Sequence, residues 1–389
     1  MVILANKKHK ANYVPFITTV IVLVVLLVAL CVGIASCAVK AANGGTTATT
    51  AKATANNETT PGTTVSTTVV KTTAKPTTTA ERTTAKQTPA KTTAKTQSNG
   101  GSSNNSSGGS SGSSSNSIKS ALNNYLKKFK SVPSSGSVTK SANDVTIGQQ
   151  ILVNNDHAYN DSQSRDLINM MSVSNRRYLV SYDDLDADRY TLQQFNYMNT
   201  GFYNKYNYKL AACSGYRSVA SQKRKFENSV ASVGEKETLK WYTRPGHSEH
   251  HTGYSIDYTT NAFGSSRFTG TGKEAWITNN CHKYGFILRY PASKESITGV
   301  SHEAWHFRQV DIPHADYIMK NDLCLEEYTK TVKSYSKESP LCVKADAGGT
   351  YYIWYVKKSG SSTKIDLSGY SKYIVSGNNV DGFVVTATK

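Results

Sequence analysis

Apolar and polar positions divide the chain into a short head and three longer parts. Residues 14–35 are uncharged and almost wholly apolar, whereas residues 36–117 show no hydrophobic period. As a helix, the apolar part would span roughly 33 Å, which matches the hydrocarbon core of a membrane at about 30 Å. We therefore expect a cytoplasmic head (1–13), a transmembrane helix, a disordered stalk rich in Thr, Ala, Lys, Gly, Ser and Asn, and a folded body (118–389).

The patterns within the body predict an α+β fold. Helical spacing occurs at 118–130, 192–206, 220–233 and 273–284, and strand-like patterns occur at 149–153, 253–258, 351–356 and 382–386. After Tyr328 the sequence becomes dense in β-forming residues. We therefore expect an α+β domain at 118–342, large enough to be a catalytic domain, and a small β-module at 343–389.

Lysines around the apolar part predict its orientation in the membrane. Lys7, Lys8 and Lys10 precede it, and only Lys40 follows closely. Because cytoplasmic flanks carry the excess of basic residues, the N-terminus should stay inside and the body should lie outside the cell. A lipoprotein signal is the alternative, since the residues before Cys37 resemble a lipobox and Cys37 would then carry the anchor. Both alternatives place the body outside.

The formal charge of +18 is unevenly distributed. The head holds three lysines and the stalk holds eight basic residues against two acidic ones, which leaves +9 for the body, without a basic run. A basic tether suits anionic lipid headgroups or anionic wall polymers. Nucleic acid is not an expected partner, because the body has no basic stripe interleaved with aromatic residues.

The cysteines of the body lack the CxxC spacing of a metal site, so we expect free thiols, with one or two disulfides as the alternative. They are Cys213, Cys281, Cys324 and Cys342.

Three short segments carry residues with hydrolytic chemistry. They read SGYRSxxxQ at 214–222, PGHSEHHTGYSID at 245–257 and EAWH at 303–306. Each is weak by itself, because isolated His, Glu and Arg residues usually lie in surface pairs. Together they supply two imidazoles and a carboxylate for three positions of a tetrahedral metal site, with the fourth left for water. They also supply a further glutamate that could accept a proton and a guanidinium that could bind a carboxylate or an oxyanion.

In this combination the segments resemble the VanY-type D-alanyl-D-alanine carboxypeptidases. These zinc peptidases are related to the VanX dipeptidases and to hedgehog-type domains. The resemblance covers roughly residues 145–330, and it implies a zinc peptidase fold for the catalytic domain. It also implies that a terminal D-alanine is removed from the peptide stems of peptidoglycan. The alternatives are an L,D-carboxypeptidase, a peptidoglycan endopeptidase, or a wall-binding protein without catalysis.

The resemblance also implies a role for each matching residue. It places the zinc ligands at His250, Asp257 and His306, the general base at Glu303, the substrate-polarising arginine at Arg217, and two pocket-shaping residues at Ser248 and Gln222. Beside these, we expect His251 to face solvent, since it is one residue from a ligand.

Three positions depart from the family pattern. Ser255 stands where the pattern has alanine, and we expect it to be tolerated next to the ligand strand. Gln309 and Asp311 stand where the pattern has tyrosine and glycine. We expect these two residues to alter the wall of the substrate pocket.

The predicted topology can be tested on intact cells. Protease added outside should release the body of residues 118–389, because the stalk is predicted to be disordered and to lie outside the cell. Immunoblotting of supernatant and cell pellet measures the release. If Cys37→Ala abolished membrane retention, the anchor would be a lipid on Cys37 and the transmembrane prediction would be wrong.

Overall fold

A computed structural model describes residues 111–162, 165–261 and 266–389. The predicted head (1–13), the predicted transmembrane helix (14–35) and the stalk as far as residue 110 lie outside the described residues. Within the described ranges, no helix is both long and apolar enough to cross a membrane.

The helices are short apart from three. They are α1 (Ser111–Leu126), α2 (Met170–Val173), α3 (Arg189–Tyr206), α4 (Val219–Val233), α5 (Glu235–Thr238), α6 (Ala275–Asn280), α7 (Glu295–Thr298), α8 (Ile312–Lys320) and α9 (Leu325–Thr331), with 3₁₀ turns at Ala142–Thr146, Glu249–Thr252, Cys281–Tyr284, Ala292–Lys294 and Val332–Ser334.

The strands form two five-stranded sheets and two small pairs. They are β1 (Lys130–Ser131), β2 (Ser137–Ser141), β3 (Leu167–Asn169), β4 (Leu179–Val180), β5 (Asp186–Asp188), β6 (Ala211–Ser214), β7 (Ser255–Thr259), β8 (Phe286–Tyr290), β9 (Glu303–Gln309), β10 (Leu341–Lys344), β11 (Thr350–Lys357), β12 (Ser362–Asp366), β13 (Lys372–Gly377) and β14 (Gly382–Thr388).

The sheet that carries the candidate site has the strand order β4-β6-β7-β9-β8. Its strands are antiparallel except for the β4–β6 pair. Helix α3 is capped by Asp188, whose carboxylate accepts from the backbone N–H of Thr191. The apolar face of this helix, with Phe195 and Phe202, packs in the same core as Ile256 of β7 and Phe307 of β9. Ile256 and Phe307 thus anchor the two central strands in this core. The residues next to them in sequence, Asp257 and His306, point to the opposite face of the sheet.

The predicted β-module is not a separate appendage. Its sheet has the order β1-β13-β14-β11-β10, and β1 comes from before the catalytic part. Strand β12 pairs with β2, which also precedes that part. One apolar core joins Leu152 and Ile287 to Ile353 of β11 and Val384 of β14. The predicted boundary at residue 343 therefore cuts through one sheet and one core, and it does not separate two domains.

Two predictions of secondary structure differ from the structure. Residues 149–153, all of which the structure describes, form no strand; their carbonyls at Gln149 and Ile151 instead accept hydrogen bonds from the Arg308 guanidinium. Their apolar pattern reflects burial rather than strand pairing. Helix α1 begins at Ser111, inside the predicted stalk, because Ser117 is buried there and its hydroxyl lies 2.8 Å from the hydroxyl of Tyr284.

An ion pair fastens the segment after α1 to the catalytic part. The ammonium of Lys128 lies 2.7 Å from the carboxylate of Asp311, which is only 3% exposed. It also donates to the side chain of Gln149 and lies over the ring of Tyr190. Because one partner is buried, removing the other leaves an uncompensated charge in the protein.

We expect Lys128→Met to destabilise the protein by about 3 kcal/mol, since Asp311 would lose its cation. Lys127→Met is the matched control, because Lys127 is exposed and adjacent in sequence. Urea unfolding curves of the two variants give the difference in free energy. Equal midpoints for both variants would show that the ion pair contributes no stability.

Candidate active site

Two neighbouring strands place a carboxylate and an imidazole side by side. In the antiparallel register of β7 and β9, Asp257 is opposite His306. The distance from Asp257 Oδ1 to His306 Nδ1 is 3.0 Å. Both residues are buried, at 9% and 3% exposure.

A 3₁₀ turn brings the second imidazole to the same place. Ser248 caps this turn, and its hydroxyl accepts from the backbone N–H of His250. His250 Nε2 lies 3.3 Å from Asp257 Oδ2. The other ring nitrogen, Nδ1, donates to the carbonyl oxygen of Gly215 at 2.7 Å, which turns the Nε2 lone pair toward Asp257.

His250, Asp257 and His306 together fit a metal ion. One ligand atom from each lies within 4.8 Å of the others. Asp257 Oδ1 is buried, and although His306 Nδ1 lies 3.0 Å away, the two atoms do not have the geometry of a hydrogen bond. Among the described residues this oxygen therefore lacks the partner that a buried oxygen requires. Two imidazoles and one carboxylate are the donor set of a three-ligand catalytic zinc site.

The pKa values of the three residues show which protonation states a bound metal ion would meet. Burial and the charge of Arg217 lower the pKa of His250 to about 4, so this imidazole is neutral and can donate a lone pair. Burial raises the pKa of Asp257, but the two imidazoles outweigh it and hold this pKa well below its usual range. Burial lowers the pKa of His306, whereas Asp257 and Glu249 raise it to about 9. His306 thus holds a proton that a metal ion would displace.

Glu303 lies at the rim of this group and is not one of its three members. Its Oε2 is 3.6 Å from His306 Nδ1, and its side chain faces the same cavity. Burial raises the pKa of Glu303 to about 7, in spite of the nearby His306. A carboxyl group with this pKa can both accept and return a proton near neutral pH.

Arg217 is held in a fixed direction by its neighbours. Its Nη1 donates to Gln222 Oε1 at 2.8 Å, and its Nη2 donates to Ser214 Oγ at 3.0 Å. Gln222 is itself fixed, since its amide donates to the carbonyl oxygen of Thr243 at 2.7 Å. A guanidinium has five N–H donors, so donors remain for a bound molecule.

All seven residues named from the sequence line one cavity of about 880 Å³. Arg217, Gln222 and Ser248 lie along its wall beside the candidate metal group. The rim carries Trp241 and Trp305, with the guanidinium of Arg267 stacked 4.3 Å above the Trp305 ring. The sequence motifs therefore meet in space, as their joint interpretation requires.

The sequence did not reveal that Glu249 organises the site from behind. Glu249 Oε2 lies 3.5 Å from His306 Nε2, and its Oε1 accepts from Arg289 at 2.8 Å and from Arg308 at 2.9 Å. Both arginines are fully buried. Their charges outweigh burial and hold the pKa of Glu249 far below its usual range. The only signal in the sequence was an arginine within each of two apolar strands, β8 and β9.

His251 is buried rather than exposed, so that prediction was wrong. It is 0% exposed, its Nδ1 donates to the carbonyl oxygen of Arg217 at 2.6 Å, and its Nε2 accepts from the backbone N–H of Gly246. The prediction assumed strand alternation, whereas the residue lies in a 3₁₀ turn. His251 therefore ties the turn that bears His250 to the loop that bears Arg217.

The three residues that depart from the family pattern do not line the cavity. The prediction that Gln309 and Asp311 alter the wall of the substrate pocket was therefore wrong. Gln309 and Asp311 are buried next to each other, and Gln309 Oε1 accepts from the backbone N–H of Asp311. Asp311 has φ of 67°, a backbone conformation that favours the glycine of the family pattern. Its carboxylate pairs with Lys128. Ser255 is buried, and its hydroxyl donates to Glu249 Oε2 at 3.3 Å.

The described cysteines are all free, in agreement with the expectation of thiols.

Comparison with known proteins identifies the family. A family model described as VanY, D-alanyl-D-alanine carboxypeptidase, matches residues 187–312. The bifunctional D-Ala-D-Ala dipeptidase and D-Ala-D-Ala carboxypeptidase VanXYC of Enterococcus gallinarum is 35% identical over 131 residues, which are 31% of this chain and 69% of that protein. The chain belongs to the VanY family. This confirms the resemblance predicted from the motifs.

Two further VanY-family comparisons extend the likeness. A D-alanyl-D-alanine carboxypeptidase of Enterococcus faecium is 37% identical over 174 residues, which are 44% of this chain and 52% of that protein. A crystal structure of the vancomycin resistance D,D-dipeptidase VanXYg, in complex with a D-Ala-D-Ala phosphinate analog, has a TM-score of 0.59 and 28% identity, covering 67% of this chain and 99% of that one. The chain spans about half the length of three curated relatives that it matches.

We expect Glu249→Gln to weaken metal binding about 10- to 100-fold, because the amide no longer orients His306 as a carboxylate does. Two buried arginines would also lose an anion, which should cost about 3 kcal/mol of stability. Glu227→Gln, on the exposed face of α4, is the matched control. Competition with a chromogenic chelator measures the affinity. An unchanged affinity in a folded Glu249→Gln variant would rule out this role.

Proposed function

We propose that this protein is a zinc-dependent carboxypeptidase that removes the terminal D-alanine from the peptide stems of peptidoglycan. One observation carries the proposal: a three-residue metal group, a carboxyl group with a raised pKa and a fixed guanidinium face the same cavity. The family supports the choice of substrate, since the relatives from Enterococcus are named for D-Ala-D-Ala cleavage.

Zinc is the metal that best fits the residues. His250, Asp257 and His306 would hold it, leaving one position open. A bound zinc ion supplies Lewis acidity, which acidifies water and polarises a carbonyl group.

Glu303 is the residue that would move the proton. Its carboxylate accepts a proton from the attacking water and returns it to the leaving amine, as a general base and then a general acid. The pKa of about 7 suits both steps near neutral pH. Burial supports this role, because a solvated carboxylate would have a lower pKa and would be a weaker base.

Arg217 would bind the charge that the substrate presents. Because Gln222 and Ser214 fix two of its nitrogens, the guanidinium enters the reaction already oriented. Its free N–H donors can bind the terminal carboxylate of the peptide or the oxyanion that forms at the scissile carbonyl.

We infer the place of action from the N-terminal sequence. The body would work outside the cell, tethered through the apolar segment 14–35. A stalk of about 75 residues before α1 would give a reach of roughly 50 Å, taken as a flexible coil. Its basic residues would favour a surface of anionic lipid or wall polymer. Such a reach suits an enzyme whose substrate is the cell wall.

The proposal is tested by mass spectrometry of defined stem peptides incubated with the full-length protein. We expect a pentapeptide ending in D-Ala-D-Ala to lose one alanine, with no cleavage in the presence of a chelator and recovery upon zinc addition. Removal of alanine only from tetrapeptide stems would identify an L,D-carboxypeptidase. Cleavage within the stem, at equal rates for free and C-terminally amidated peptides, would identify an endopeptidase and overturn the proposal.

We expect Arg217→Lys to lower kcat/KM at least about 100-fold, since lysine keeps the charge but loses the paired donors. Arg224→Lys, on the exposed face of α4, is the control and should behave as the wild type. Steady-state kinetics on the D-Ala-D-Ala pentapeptide measures both. A loss below threefold would show that Arg217 does not contact the reacting part of the substrate.

A further inference from the structure

A second group of metal-ligating side chains lies apart from the candidate active site. His282, Asp316 and Asp346 each offer one ligand atom, and these three atoms lie within 4.8 Å of one another. None of the three residues lines the active-site cavity. His282 and Asp316 are buried, whereas the Asp346 side chain is 42% exposed. An ion from solvent can therefore reach the group, which the proposed chemistry does not use.

Three separate parts of the chain bring these residues together. His282 lies in the 3₁₀ turn before β8, Asp316 lies in α8, and Asp346 lies in the turn between β10 and β11. The backbone N–H of Asp346 donates to Asp316 Oδ1 at 3.0 Å, which fastens this turn to α8. The group thus joins the C-terminal sheet to a helix and a turn that flank the site sheet.

Each of the two carboxylates turns one oxygen toward His282 and the other toward a lysine. His282 Nε2 lies 3.2 Å from Asp346 Oδ2 and 4.0 Å from Asp316 Oδ1. The Lys320 ammonium lies 2.6 Å from Asp346 Oδ1 and 2.8 Å from Asp316 Oδ2. Two ligand atoms of a tetrahedral zinc ion, each about 2 Å from the metal, are roughly 3.3 Å apart. The imidazole and the two oxygens that face it therefore need only small shifts to hold one ion.

The charges of this group do not balance. Among the described residues, Lys320 is the only lysine or arginine within ion-pair distance of Asp316 or Asp346, so one ammonium faces two carboxylates. Burial lowers the pKa of His282, and the charge of Lys283 adds to this, although both carboxylates raise it. The imidazole is therefore neutral near pH 7 and has a lone pair for a metal. One negative charge remains uncompensated beside Asp316, which is 2% exposed, and a divalent cation would neutralise it.

We propose that His282, Asp316 and Asp346 bind a second zinc ion, which holds the turn between β10 and β11 against α8. One imidazole and two carboxylates are ligands that zinc accepts, and water at the exposed side of the group supplies the fourth. The inference concerns stability, and it does not rest on the proposed function.

This ion competes with Lys320 for the same two carboxylates. The Lys320 side chain is 43% exposed near the end of α8, so it can turn into solvent when the metal binds. Because an ion pair must be broken, the second site is weaker than the candidate active site. It therefore fills only when zinc is added, and purified protein retains about one zinc ion per chain.

Removal of the competing cation tests the site. Zinc is titrated into full-length protein that already holds its tightly bound ion, and calorimetry and the Tm report further binding. Without added zinc, Lys320→Met should have a lower Tm than the wild type, since Asp316 loses its cation. Added zinc should restore this Tm and bind about 10-fold more tightly than to the wild type, because the repulsion is gone. Lys330→Met, on the exposed face of α9, is the matched control and should bind zinc as the wild type does.

Variants of the ligands distinguish a metal site from a network of ion pairs. His282→Asn and Asp346→Asn should each abolish binding of the second zinc ion and the rise in Tm. Asp366→Asn is the matched control, since Asp366 is also exposed and paired with a lysine, and it should keep both. The inference is overturned if added zinc does not stabilise Lys320→Met, or if binding survives His282→Asn. Should Lys320→Met not fold, equal binding of added zinc by the wild type and His282→Asn overturns it as well.

Discussion

The structure of the site depends on a carboxylate buried between two arginines. Glu249 is 1% exposed, and a charge at that depth is tolerated only with compensating partners. Arg289 of β8 and Arg308 of β9 supply them, and the second oxygen of Glu249 faces His306. Because Glu249 precedes His250 in the same 3₁₀ turn, the pair that neutralises it also fixes where His250 can lie. One electrostatic constraint therefore positions two of the three candidate ligands.

The same ionic network extends through the protein to parts that carry no chemistry. Arg289 also binds Glu326 of α9, and Glu326 accepts from Asn154. Arg308 donates to carbonyl oxygens of the segment at 149–151. These contacts explain why the segments before β3 and after β9 close around the site sheet. The segment that Arg308 contacts continues into Leu152, which packs in the core shared by the C-terminal strands and the catalytic part.

The chemistry of the site was readable from the sequence because its residues lie in short motifs. His250 and Asp257 are seven positions apart, and Glu303 and His306 are three apart. The motifs were weak one by one, and their combination, through its resemblance to the VanY family, grouped these residues. The supporting residues were not readable in this way. Arg289 and Arg308 appear as charges within apolar strands, and only the pairing of β8 with β9 reveals that both reach Glu249. His251 was mispredicted, since a 3₁₀ turn does not alternate as a strand does. The extent of the β-part was also misjudged, because β1 and β2 join it from a distant part of the chain.

The central claim is that His250, Asp257 and His306 hold the metal while Glu303 acts beside it. The most direct measurement is the zinc content of purified wild-type, His306→Ala and Glu303→Ala proteins by elemental analysis. The account predicts about one zinc ion per chain for the wild type and for Glu303→Ala, and a large loss for His306→Ala. Loss of zinc from Glu303→Ala, or full retention by His306→Ala, would contradict the assignment of the ligands.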